Sequence, residues 1–416
     1  MKKRFGLVLI TKMIIRLIGY STVFIVAMYT LEAAVLVAQT RESRVPEIDV
    51  WESKMISAGK KWGEYMNPAS GHSLDKRLGA QYYDAEWVFY QIADYTGDKE
   101  PWATYASYAE QVYRIEYLVP NDYRAQGYRR FPEGLYEDFR RGGNTTLDDL
   151  ARIRDRPAYS QVSELTRGPD KRSGYSESRS REVAYAVGAN IVAEKAGLPR
   201  VADKGYARLK TFVAMMENHL WEWRNQKFVN KKIGRVAPFM MGLTAYALIE
   251  FYEWEELNNR NPNAYWPTGN WSSIDGALID VFTWLYDDAK VVDGRTISGQ
   301  RMWVPSYKKN GYGTYRFMDR TIRGSGESKP VHDVNQLIAP VYYWIYKKTG
   351  NEKYRDIGDQ LFASAALHGA VDWGGKQFNQ LYRLSFRSLE WRAQGVANAS
   401  KRSDSRSGVL SDSVGQ

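Results

Sequence analysis

The chain has 416 residues, 44% apolar and 14% aromatic, with 30 Tyr, 14 Trp, no Cys and a formal charge of +10. A chain this long and apolar buries a large core, and the absence of Cys excludes disulfides, thiolate metal sites and cysteine nucleophiles. The first 38 residues carry five Lys or Arg against one Glu, which leaves 53 basic and 47 acidic residues in the remainder; that modest excess, with no zinc-finger, P-loop or RNA-binding signature, gives no case for a nucleic-acid partner.

The start is basic, Met1-Lys2-Lys3-Arg4, and leads into an apolar stretch whose longest uncharged part is Leu17 to Leu31. This is the order of a signal peptide's n-region and h-region, with a cleavage position near Ala38. The uncharged run is shorter than the roughly twenty residues that span a bilayer. Residues 1–38 therefore read as a secretion signal or an uncleaved anchor, which puts the rest in the periplasm or outside the cell, possible membrane tether included.

From Pro46 the apolar and aromatic residues recur at three- and four-residue spacing, as in Tyr83, Trp87 and Tyr90 or Leu243, Tyr246, Ala247 and Phe251. This predicts helices near 47–66, 81–95, 100–118, 180–196, 199–225, 236–257, 271–290, 331–348, 351–368 and 376–391, with short ones near 133–141 and 145–156. No segment alternates like a strand, so the fold class is all-α. The tail from Gly395 is Ser-rich and polar and reads as disordered.

Short and long connections alternate. Thr96-Gly97-Asp98, Ala196-Gly197-Leu198-Pro199 and Thr349-Gly350-Asn351 have the chemistry of tight αα-hairpins. The intervening connections, near 67–80, 119–179, 226–235, 291–330 and 369–375, are mostly longer. If successive helices are antiparallel, the long connections gather at one end and form a mouth. The 119–179 insertion, with twelve basic and ten acidic residues, reads as a salt-bridged lid.

The segments YYDAEWVFYQIADYTGDKEPW, APFMMGLTAYALIEFYEW and IAPVYYWIYKKTGNEKYRDIG resemble the hairpins of the six-hairpin, or (α/α)-toroid, carbohydrate-active enzymes. The resemblance covers residues 45–391. It implies an (α/α) toroid of five to seven helical hairpins and an activity on carbohydrate, either polysaccharide lyase or glycoside hydrolase.

Charge gathers at the mouth. Loop 291–330 carries eight Lys or Arg against three acids, interleaved with Trp303, Tyr307, Tyr312, Tyr315 and Phe317, and loop 226–235 carries Lys227, Lys231, Lys232 and Arg235 with no acid. Inner-helix N-termini add to this field. A positive, aromatic-lined mouth suits an anionic, uronate-containing polysaccharide as partner. Cleavage by β-elimination needs a group on the carboxylate, a base and an acid. From the resemblance those are Arg181, Arg301 or Asn335 on the carboxylate, His332 or His219 as base, and Tyr312, Tyr315 or Tyr307 as acid, with His332 opening a helix beside the aromatic loop. The competing chemistry is hydrolysis by two carboxylates, with Asp84, Glu182 and Asp333 at helix starts. A non-catalytic protein that binds glycan or assembles in the envelope shares the same features. No His-x-x-x-His or HExxH pattern occurs, so no metal or other cofactor is expected.

Overall fold

The structure, a computed structural model, describes residues 44–156, 180–202, 208–225, 236–292, 297–306, 311–317 and 330–411. Residues 1–38, Arg235 and Tyr307 lie outside them, as do the rest of loop 226–235 and much of the 119–179 and 291–330 connections. Val45–Gly395 form one compact unit, and the described residues outside it, Arg44 and 396–411, belong to a second. Among the described residues no helix is long and apolar enough to cross a membrane.

The chain is all-α. Helices α1 Ile48–Met66, α2 Leu74–Gln81, α3 Ala85–Thr96, α4 Trp102–Glu110, α5 Pro132–Arg140, α6 Leu147–Asp155, α7 Ser180–Lys195 and α8 Leu209–Asn225 make the first half. Helices α9 Pro238–Leu257, α10 Ile274–Asp287, α11 Ala339–Thr349, α12 Glu352–His368, α13 Gly375–Tyr382 and α14 Ser385–Ser411 make the second. Their ends are chemically marked. Thr146 and Asp149 close a reciprocal capping box on α6, Ser273 accepts from the Gly276 N–H at the start of α10, and Asn351 does the same for Lys353 on α12. Gly97 and Gly350 end α3 and α11 at φ 74° and 72°, where a Cβ would be strained.

Burial separates helices with one buried stripe from helices enclosed on most sides. In α10 the buried residues are Ile274, Ala277, Leu278, Val281, Phe282, Trp284 and Leu285, a single stripe at helical spacing. Helices α3, α7, α9 and α11 are instead buried nearly all round, as in Ala339–Tyr346 of α11. A helix apolar on every side must be enclosed by other helices. The contacts agree: α3 packs on α5, α5 on α7, α7 on α9 and α9 on α11. The first turns of α14 join the same set, since Trp391 meets Tyr246 of α9 at 6.1 Å and Phe386 meets Tyr95 of α3 at 5.8 Å.

Several boundaries differ from the sequence reading for identifiable reasons. The helix expected over 331–348 begins at Ala339, after a 3-10 turn at Asn335–Leu337; Pro340 clashes with a carbonyl four residues back and forbids one continuous helix there. His332 therefore precedes the helix instead of opening it. The helix expected from residue 81 begins at Ala85 because Tyr83 and Asp84 are left-handed, at φ 72° and 67°, and the expected loop 67–80 contains the start of α2. The segment 376–391 divides into α13 and α14.

Strands exist where none is expected. Lys290–Val292 (β1) pairs antiparallel with Ile297–Arg301 (β2), and Trp303–Val304 (β3) with Thr314–Tyr315 (β4). Runs this short leave no period-two signature to read. The last helix continues through Ser411, where the sequence reading expects a disordered tail; no Pro follows Gly395 to stop it.

The 3-10 turn sits so close to α9 that a methyl group on Gly242 would strike the Leu337 carbonyl and stand 3.1 Å from Ile338 Cα. Backbone cannot rotate out of the way as a side chain can. Gly242→Ala should lower stability by about 1–3 kcal/mol, read as a fall in Tm. An unchanged Tm would mean that the two backbones are further apart.

Candidate active site

The structure divides the residues singled out from sequence into separate neighbourhoods. His332 is buried, with Nδ1 2.8 Å from Ser364 Oγ and its ring 4.9 Å from that of His368. His219 lies on α8, fully buried beside Trp223, and burial pulls its pKa down to about 4. It is a neutral packing residue at ordinary pH. The Tyr315 hydroxyl is bonded to that of Tyr342 inside the core, and Trp303 packs on Tyr286 and Tyr315 at 5.0 Å each. Asn335 donates to Thr314, Tyr312 donates to Glu47 at 3.0 Å, and Arg301 donates to the last carbonyls of α10. The described aromatics of loop 291–330 thus serve largely to seat a β-hairpin on α10, α11 and α12.

A second neighbourhood lies at the N-terminal ends of the enclosed helices. Arg181 donates to the Tyr82 hydroxyl at 3.2 Å and to Glu182 at 2.8 Å. Asp84 caps α3: its carboxylate accepts from the Trp87 N–H at 3.4 Å and from the Gly134 N–H at 3.0 Å. A side chain at Gly134 would collide with the carboxylates of Asp84 and Glu86, so α5 can approach only because that position is glycine. The left-handed turn that aims Asp84 inward costs on the order of 1–3 kcal/mol per residue. Asn379 holds the turn from the far side, donating to the carbonyls of Ala80 at 2.7 Å and Tyr82 at 2.9 Å.

Beyond Asp84 opens a cavity of about 100 Å3, lined by α3, α5, α7, α9 and α14. On α7 its lining runs from Ala184 to Lys195, about 16 Å along the helix at 1.5 Å per residue. Trp87, Tyr136, Tyr185 and Tyr246 supply aromatic walls, and the charges come in ion pairs. Glu133 lies 3.1 Å from Arg383. Glu250 lies 3.1 Å from Lys195 and 3.3 Å from Arg387, and accepts from the Tyr246 hydroxyl at 3.2 Å.

Two carboxyls here have opposite environments. Burial, then the charge of Glu133, pushes Asp84 up to about 7, against the pull of Arg383 and its two backbone donors. Glu250 goes down to about 2, because the charges of Lys195 and Arg387 and the hydrogen bonds from Lys195 and Tyr246 outweigh its burial. Glu86, wholly buried and unbonded, is raised well above the carboxylate range by burial and by Asp84, Asp138 and Glu110. Of these three, Glu250 lines the cavity, while Asp84 and Glu86 lie behind its wall.

The sequence reading includes Asp84, Glu182 and Arg181 but misses Glu133, Glu250, Arg383 and Arg387. Signals existed: Glu250 is the first charge in the run APFMMGLTAYALIE, and Arg383 and Arg387 stand four apart in LYRLSFR. No group of three or more His, Asp or Glu that could hold a metal occurs among the described residues. The chain matches no family model, no curated protein and no solved structure.

Asp84 keeps its proton to about pH 7 when folded, against an ordinary 3.8. Between those values the folded state binds the extra proton, so stability falls as pH rises, by about 1.4 kcal/mol per pH unit for one proton. The facing charges, Glu86, Glu133 and Arg383, remain when Asp84→Asn removes the titration. Unfolding at pH 5 and pH 8 should show the variant gaining on the wild type at the higher pH. A difference that does not change with pH would assign Asp84 an ordinary pKa.

Proposed function

We propose that Val45–Gly395 is a six-hairpin (α/α) toroid and that its central cavity is the active site of a glycoside hydrolase. The inner ring would be α3, α5, α7, α9, α11 and the first turns of α14. The all-round burial of α3, α7, α9 and α11, the successive contacts and the return of α14 onto α3 support this arrangement. The outer ring would be α1, α4, α6, α8, α10 and α12.

The observation that carries the reaction is one cavity with a carboxylate pair in contrasting surroundings, Glu133 on α5 and Glu250 on α9, separated by α7. Glu133, on the cavity wall beside Arg383, is assigned as proton donor to the leaving oxygen, with the buried Asp84 behind it. Glu250, held ionised by two cations, serves as base or nucleophile. Trp87, Tyr185 and Tyr246 offer ring faces for sugar stacking. The 1–38 segment, as a signal or anchor, exports the enzyme to a polymeric substrate.

β-Elimination is the second reading, favoured by Arg181 with Tyr82, and by Tyr185 beside Arg383. Burial raises Tyr82 and Tyr185 and keeps both protonated, which suits an acid. A base is harder to supply: His332 contacts Ser364 and His368, and His219 contacts Trp223. This is why hydrolysis stands first.

The two chemistries leave different ends. Incubation with alginate, glucuronan, pectate, hyaluronan, xylan and mannan should release reducing ends without near-ultraviolet absorbance. Glu133→Gln and Glu250→Gln should each lower kcat by about 100- to 10,000-fold, and each also lowers Tm because it takes a carboxylate partner from buried cations. An unsaturated chromophore would replace hydrolysis by elimination. Absence of any product would leave a glycan-binding or envelope protein.

A further inference from the structure

The cavity has one closed end and one accessible end. Along α14 the side chain of Arg383 is 3% exposed and that of Arg387, one turn on, 30%. Along α7 Tyr185 is 4% exposed and the Lys195 side chain 25%. The closed end faces the helix N-termini, where Tyr82, Tyr83, Phe131 and Tyr185 are buried and pack ring on ring. Tyr82 lies 4.7 Å from Tyr83 and 5.6 Å from Phe131, and Phe131 lies 5.4 Å from Tyr185. The Arg383 guanidinium seals the same wall, 5.5 Å over Phe131 and 4.9 Å over Tyr185. The accessible end lies beside Lys195, two residues before the left-handed Gly197 of the tight turn, and is bordered by Glu137, one turn past Glu133 on α5. That is the opposite end from the long connections, where the sequence reading expects the mouth.

Depth is set by Glu133. A methyl group on Gly188 would stand 3.3 Å from Glu133 Oε1. The carboxylate is therefore level with Gly188, four residues or about 6 Å of helix from Ala184 at the closed end. Glycine inside a helix costs roughly 1 kcal/mol against alanine, and here its missing side chain leaves the space beside Glu133 free. Sites that enclose a drug-sized ligand run to about 300–1,000 Å3. A cavity of about 100 Å3 closed at one end admits a single ring past Glu133 and gives a polymer no way through.

We propose that the protein attacks polymer ends. A terminal sugar enters beside Lys195 and Arg387, stops against the wall of Arg383 and Tyr185, and is released by hydrolysis of the one glycosidic bond that stands level with Glu133. Each cleavage consumes one water, which supplies a hydroxyl to the anomeric carbon and, in net, a proton to the leaving oxygen, and shortens the chain by one residue. The assignment rests on the hydrolase reading of the cavity, and it adds the mode of attack and the direction of access.

Access is measured without substrate. The chain has no Cys, so Ala247→Cys on the cavity wall supplies the sole thiol, and its rate of reaction with a small methanethiosulfonate reports the opening. Adding Glu137→Trp at the accessible end should slow that reaction ten-fold or more. Lys376→Trp, on the N-terminal side over Tyr82, should slow it less than two-fold. Glu137→Tyr replaces the tryptophan variant where Tm falls. The reverse order, or no slowing by either change, would overturn the assigned opening. Cleavage is followed on the same polymers by product size and viscosity. A single sugar released from the first time points, with viscosity falling slowly, is the expected result. A ladder of oligosaccharides with an early fall in viscosity would overturn end attack and leave the hydrolase standing. No product from any polymer would remove the hydrolase reading itself, and end attack with it.

Discussion

The ion pair of Arg383 and Glu133 is the constraint around which the interior is arranged. Arg383 is almost wholly buried, and a guanidinium taken out of water is costly unless partners surround it. Here the guanidinium meets partners from three directions, Glu133 from α5, Asp84 from the turn before α3 and Tyr185 from α7, while Gln91 holds the backbone through the Arg383 carbonyl. The break between α13 and α14 falls at Arg383–Leu384. A charge held this way fixes the start of α14, and so fixes which side chains of α14 face the cavity.

The same constraint explains an otherwise expensive piece of backbone. Two consecutive non-glycine residues in left-handed conformation, Tyr83 and Asp84, would not persist without compensation. The turn places the Asp84 carboxylate where it accepts from Trp87 and Gly134, close enough to Arg383 to feel its charge. The anchoring amide of Asn379 belongs to α13, the helix that ends in Arg383. The strained turn and the buried cation therefore hold each other, and a change in either is transmitted through α13.

How much of this was legible in sequence follows from which signals are local. Helix periodicity, Gly97 and Gly350 past helix ends, and the alternation of short and long connections are local, and from them the all-α class and most helices were read correctly. The positions of Asp84, Glu182 and Arg181 at helix starts were also readable. What sequence did not report was that aromatics and a histidine of the basic loop are buried. Trp303, Tyr315 and His332 look exposed in a polar, glycine-rich context, yet they are buried by α10, α11 and α12, which are distant in sequence or approach from the other side. Composition reports that a segment is polar on average, and it cannot report that the few aromatic residues turn inward. Glu133, Glu250, Arg383 and Arg387 were missed for the converse reason: each sits in a helix that reads as ordinary, and their meaning arises only when three helices converge.

That convergence matters because it treats Glu250, in the cavity, and Asp84, behind its wall, unequally. Glu250 faces two cations and a phenol, so its charge is stabilised more than burial penalises it. Asp84 is as deeply buried but shares its one cation with Glu133, and the like charge of Glu133 adds to the penalty. Neither outcome depends on the residue type, since Asp and Glu start within about half a pH unit of each other. It depends on how many cations each helix face contributes. Lys195 and Arg387 come from α7 and α14 on the Glu250 side, while Arg383 alone is divided between the two acids on the other. Moving one cation across the cavity would exchange which carboxyl keeps a proton at neutral pH. Which acid stays charged is thus set by the four-residue step that sends Arg383 to Glu133 and Arg387 to Glu250.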